Sequence, residues 1–150
     1  MSRFIKSTDY SMQIRQEIIK LLTSGDNEWF NSSELIRAEN TAIAQIKNRI
    51  GKRYDCFSIF TASGDDQPDM RDQWIVTIVI DIALYHLYSK TGSKDLPQHR
   101  SQRYQDAIDW LKDVGNGETV ADLPQIMDSN TGEAYGEFIF NSREPQNHKY

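Results

Sequence analysis

With 150 residues, the chain has the length of one ordinary domain, long enough to bury a core without disulfides or a structural metal. Hydrophobic residues make up 38% and charged residues 26%, which predicts a modest core with some peripheral segments, and the net charge of -5 gives no general attraction to a phosphate backbone. The single cysteine, Cys56, excludes an internal disulfide, and the polar start "MSRFIKSTDYSMQ" lacks the apolar stretch of a signal peptide, so a reducing cytoplasm is the expected setting.

The first predicted element lies in "STDYSMQIRQEIIKLLTSG". Met12, Ile14, Ile18, Ile19, Leu21 and Leu22 form a helical stripe of about 13 residues that Gly25 closes. A second helix is expected from Asn31, because "NSSE" puts a cap side chain three residues before Glu34. Its stripe is Leu35, Ile36, Ile43, Ile46 and Ile50, and its end gathers Lys47, Arg49, Lys52 and Arg53, where a helix dipole favours cations. Beyond it, "CFSIF" reads as a short strand and "ASGDDQPD" as a loop.

Asp69 or Asp72 is expected to cap the third helix, which is apolar on nearly every face from Trp74 to Leu87 and therefore central. Its aromatic residues, Trp74 included, read as core. The run from Trp74 to Tyr88 falls short of the roughly 18 residues that span a bilayer, and Asp81 and His86 interrupt it, so no membrane association is expected. A fourth helix runs from about Gln98 to Val114, with Tyr104, Ala107, Ile108, Leu111 and Val114 at helical spacing and Gly115 as its stop. After Pro124 the helical pattern ends. A turn-like Ser-Asn-Thr-Gly at 129–132 and the alternating Phe138-Ile139-Phe140 predict a hairpin, or an arm that pairs outside its own domain. The fold expected is mostly α, a compact bundle of about four helices over residues 1–124 with an extended or β-hairpin C-terminal segment over 125–150.

Motifs that carry chemistry are sparse. His86, His99 and His148 fall on a buried helix, a helix start and a tail, with no H-E-x-x-H and no cysteine pair for zinc. In "DSNTGEAYGEFI" Asp128 and Asn130 suit a calcium loop, but Gly132, Glu133 and Ile139 occupy positions where a ligand, a glycine and a glutamate are required. "GNGETV" follows a helix instead of a strand and has Val120 in place of a third glycine, so it does not cradle a dinucleotide. No catalytic, cofactor or metal site is expected, and the chain does not read as an enzyme. Lys47, Arg49, Lys52 and Arg53 are the best nucleic-acid candidate, and Phe138, Ile139, Phe140 and Tyr150 the best residues for contact with a partner.

The succession "FIKSTDY", "AIAQIKNRIGKRYD", "IDIALYHLYSKTG" and "RSQRYQDAIDWLKDVGNGE" resembles a family of small proteins of Mu-like phages and prophages, often labelled a domain of unknown function. The resemblance covers roughly residues 4 to 124. It implies a head-tail connector or head-completion subunit that joins the portal vertex to the tail. Such subunits form cyclic, heterologous rings of about a dozen copies. The implied partners are other copies, portal and tail proteins, with DNA passing through the lumen unbound. The implied locations are the host cytoplasm during assembly and the virion. A nucleic-acid-binding or regulatory helical module is the alternative.

Overall fold

A computed structural model describes residues 3–23, 27–61, 64–90 and 96–127. In chain order these residues form a 3-10 helix (Ser7–Met12), α1 (Gln16–Leu22), a second 3-10 helix (Trp29–Asn31), α2 (Ser33–Ile50), α3 (Cys56–Ile59), α4 (Gln73–Ser89) and α5 (Gln98–Asn116). The long helices α2, α4 and α5 pack against one another, and the mostly α fold is as expected. Lys90, just past α4, reaches Glu34 at the start of α2 (3.6 Å), while Trp74 at the start of α4 meets Trp110 late in α5 (6.0 Å). Thus α4 runs antiparallel to both neighbours, and α2 and α5 end side by side.

The central place of α4 follows from its composition. From Ile75 to Leu87 it buries Ile75, Val76, Ile78, Val79, Ile80, Ile82, Ala83, Leu84 and Leu87, each large side chain contributing about 1.5–3 kcal/mol. Asp72 starts it by accepting the Ile75 N–H (2.8 Å), while Asp69 binds Arg71 instead. Trp74 departs from the expected core role. It is 51% exposed and lies edge-on to Trp110, on the side of the first turn opposite to the buried Ile75 and Val76.

The first predicted helix is broken. A 3-10 turn precedes a seven-residue α1, and Met12 (90%) and Leu21 (81%) are exposed, whereas Ile14, Ile19 and Leu22 are buried. The break follows from a tertiary contact. The Gln13 carbonyl, which a continuous helix would pair with the N–H of residue 17, accepts from Arg100 Nη2 at 2.6 Å. The expected closing residue, Gly25, lies outside the described residues.

Three shorter features also differ from expectation. Ser32, not Asn31, caps α2, its Oγ accepting the Leu35 N–H (3.3 Å), because Asn31 completes the preceding 3-10 turn. Glu34 thereby moves to the second helical position and pairs with Lys90. "CFSIF" forms the helical turn α3, since Asp55 accepts the N–H groups of Phe57 (3.1 Å) and Ser58 (3.3 Å) and the Ser58 hydroxyl (2.6 Å). Finally, Gly115 is helical and Gly117 takes the left-handed conformation (φ 80°) that ends α5. Gly115 is needed for another reason: a Cβ there would lie 2.4 Å from the Arg49 carbonyl oxygen of α2.

Candidate assembly surface

Most arginines near the bundle's N-terminal side are consumed by the fold. Arg71, almost fully buried, donates to both carboxylate oxygens of Asp9 (2.6 and 3.1 Å), to Asp69 (2.8 and 2.7 Å) and to the Phe4 carbonyl (2.6 Å). These bonds hold the Asp69 carboxyl far below the usual carboxylate range. Arg3 donates to Glu39 (3.1 and 2.6 Å) and to the Phe30 carbonyl, and Tyr10 also donates to Glu39. Burial outweighs these partners and raises the Glu39 pKa. Asp81 sits between Arg103 (2.9 Å) and Arg100 (3.8 Å), and burial raises its pKa too. Together these pairs fasten residues 3–13 across α2, α4 and α5.

The sequence reading gave none of these arginines an ion-pair role, and treated Asp81 only as an interruption. A carboxylate inside an apolar helix is nonetheless the available signal, since a buried charge requires a partner.

The four cations at the end of α2 are placed differently. Arg53 is half-buried, its guanidinium lying against Gly117 and donating to the Asn116 carbonyl (3.5 Å), so it serves the C-terminal end of α5. Lys47 is exposed with its ammonium 5.7 Å from the Phe60 ring. Arg49 and Lys52 are exposed and make no ion pair among the described residues. Lys47, Arg49 and Lys52 are thus exposed, while Arg53 is turned toward α5.

Beside it the chain builds a corner. Tyr54 and Gln125 form an isolated antiparallel bridge, with Asp55 N–H donating to the Pro124 carbonyl (2.8 Å) and Ile126 N–H to the Arg53 carbonyl (3.0 Å). Ala121 N–H donates to the buried Tyr54 hydroxyl oxygen (3.1 Å). Along the segments these bonds join, three large apolar side chains are exposed: Phe57 (87%), Val120 (77%) and Met127 (62%). The partner-contact candidates Phe138, Ile139, Phe140 and Tyr150 lie outside the described residues, as does His148.

His86 Nε2 is 2.9 Å from Gln45 Oε1, and burial lowers its pKa, favouring the neutral ring. His99 is exposed on the first turn of α5. Burial raises the Cys56 thiol pKa, opposite to the shift that activates a nucleophile. Among the described residues no group of three or more His, Cys, Asp or Glu converges as a metal site. A groove of about 440 Å³ has Tyr10, Ile14, Ile19 and Trp29 along its lining with Arg15 and Glu17, and one of about 250 Å³ lies by Arg37, Thr41, His86 and Lys90. No helix among the described residues is long and apolar enough to cross a membrane.

No curated protein and no solved structure matches the chain. Comparison with protein-family profiles matches residues 8–138 to the family described as Bacteriophage Mu, Gp36. The resemblance to proteins of Mu-like phages is borne out, and the matched region runs past Pro124 through the corner and on to Phe138. With most of its length inside that match, the chain belongs to the bacteriophage Mu Gp36 family.

Proposed function

We propose that the protein is a structural subunit of phage virion assembly, a head-tail connector or head-completion protein that joins portal and tail. The observation that carries this reading is the family match over residues 8–138. The structure is compatible with it: a helical body fastened by buried ion pairs carries exposed apolar side chains at Phe57, Val120 and Met127. Exposed apolar side chains of this kind are available for contact with neighbouring subunits. In this reading the protein performs no chemistry and forms a heterologous ring with other copies, in contact with portal and tail proteins. It is present in the host cytoplasm during assembly and in the virion. DNA passes its lumen without specific contact, which a net charge of -5 favours.

The test is genetic and visual. A phage lacking the gene should accumulate heads and tails that do not join, and supplying the protein should restore complete particles. Normal particle yield without the gene overturns the proposal.

A nucleic-acid-binding role is the second reading, favoured by the exposure of Lys47, Arg49 and Lys52. It requires DNA binding that weakens steeply with salt and falls when Arg49 and Lys52 are replaced by Ala. Absence of binding at low salt removes it.

A further inference from the structure

Trp74 at the start of α4 and Trp110 late in α5 meet edge-on with ring centroids 6.0 Å apart, Trp74 being 51% exposed and Trp110 half-buried. On α5 the neighbours of Trp110 at helical spacing are Asp106 and Ala107 before it and Asp113 and Val114 after it. Ala107 and Val114 are buried, so Asp106 and Asp113 border the indole on its solvent side. Asp106 accepts from Gln102 (2.9 Å), and neither carboxylate has an ion partner among the described residues. Arg103, two turns before Trp110 on the same side of α5, is committed to Asp81 (2.9 Å) and to Gln13 (3.0 Å).

Exposed indole bordered by unpaired carboxylates fits a cationic side chain, which the ring face attracts and a carboxylate then pairs. The chain itself carries such side chains. Arg49 in the last turn of α2 and Lys52 just past it are exposed and have no ion pair among the described residues. Their position also matches. The Arg49 carbonyl faces Gly115, five residues beyond Trp110 on α5, which is about 7.5 Å along that helix axis and about 140° around it. The cations and the indoles therefore lie at the same end of the bundle, on different sides of α5. Complementary patches at nearly one height can meet head to tail and close into a ring, whereas a large offset along the axis would propagate a helix.

We infer that the Trp74–Trp110 face, with Asp106 and Asp113, is the docking site for Arg49 and Lys52 of a second copy of the chain. This rests on the ring arrangement proposed above. Every subunit then carries both halves of the contact: the indoles and carboxylates receive one neighbour, and the end of α2 reaches the other. Opposite charges guide the approach, and the tryptophans supply the buried centre.

Full-length charge-reversal variants test this. An acceptor variant carries Asp106→Lys and Asp113→Lys, and a donor variant carries Arg49→Glu and Lys52→Glu. Wild type should sediment as oligomers that dissociate as salt is raised, and each variant alone should be monomeric. All four substitutions in one chain should restore oligomers at low salt, because the reversed charges attract again. Trp74→Ala, at a half-exposed site and without a change of charge, should weaken self-association at least about tenfold. Unchanged circular dichroism and Tm are the folding control, and Trp74→Ala carries the test wherever a charge reversal unfolds the chain.

Oligomers that persist in the folded acceptor variant, or self-association that is unchanged in Trp74→Ala, overturn the docking face and leave the ring arrangement standing. A fourfold variant that folds but stays monomeric overturns the pairing of the two patches. A wild type that stays monomeric at every concentration overturns the second copy as occupant, a result separate from the joining of heads and tails that tests the proposed function.

Discussion

The strap of residues 3–13 and the corner around Tyr54 use the same residue types to opposite ends. In the strap, Arg3 and Arg71 meet carboxylates, and Arg100, buried in α5, holds the Gln13 carbonyl beneath it. In the corner, Arg49 and Lys52 stand in solvent without an ion pair among the described residues, and Phe57, Val120 and Met127 are exposed too. A cation enclosed with its carboxylate holds a fold together, because removing either partner strands a buried charge. A cation beside exposed apolar surface contributes little to folding and is available for contact. The contrast separates residues that maintain the fold from residues that the fold leaves exposed.

Breaking the strap should therefore have the largest effect on stability. Arg71→Ala leaves Asp9 partly buried and unpaired and is expected to cost about 3–5 kcal/mol in urea unfolding. A loss below about 1 kcal/mol would make the strap peripheral. Next comes the contact between the ends of α2 and α5. Gly115→Ala places a Cβ 2.4 Å from the Arg49 carbonyl oxygen and should cost about 1–3 kcal/mol as the helices separate. Gly117→Ala should cost about 1 kcal/mol, the strain of a left-handed residue, because the other neighbour of its Cβ is the flexible end of Arg53.

The strap also predicts a pH dependence. Burial raises the Glu39 and Asp81 pKa values, so just above the ordinary carboxylate range the folded chain holds protons that the unfolded chain releases. Stability should thus fall as pH rises through that window. Glu39→Gln keeps an oxygen for Arg3 and Tyr10 but removes one titration, so Tm measured from about pH 4 to 7 should decline less than in wild type. Asp69 acts with the opposite sign, its contribution being lost only at much lower pH, as its depressed pKa is crossed. The smallest expected effect belongs to the corner. Lys52→Ala should change stability by less than about 0.5 kcal/mol, as read by urea unfolding.

The long helices were legible because each carries enough apolar spacing to announce its buried face: Leu35, Ile46 and Ile50 in α2, Leu111 and Val114 in α5. The short elements were not, because one or two hydrogen bonds decide them. Asp55 turns "CFSIF" into a helix, and Arg100 takes the carbonyl that would have continued the first helix through Gln13. Of the contact candidates, the basic cluster was visible as a run of cations, but the withdrawal of Arg53 toward α5 was not. Phe57, Val120 and Met127 gave no sequence signal, since their exposure depends on the pairing of residues 53–55 with 124–126, nearly half the chain apart.

By itself the sequence determined that α4 is the centre, since an all-apolar helix can only be satisfied by burial on every side, and that two long amphipathic helices cover it. The tertiary structure decided which charges are consumed and which remain, and which of two neighbouring glycines ends α5. Those outcomes depend on distances between residues remote in the chain: Arg71 to Asp9, Gly115 to Arg49, Arg53 to Gly117. Local propensity contains no information about such distances, because each is set only when the helices pack.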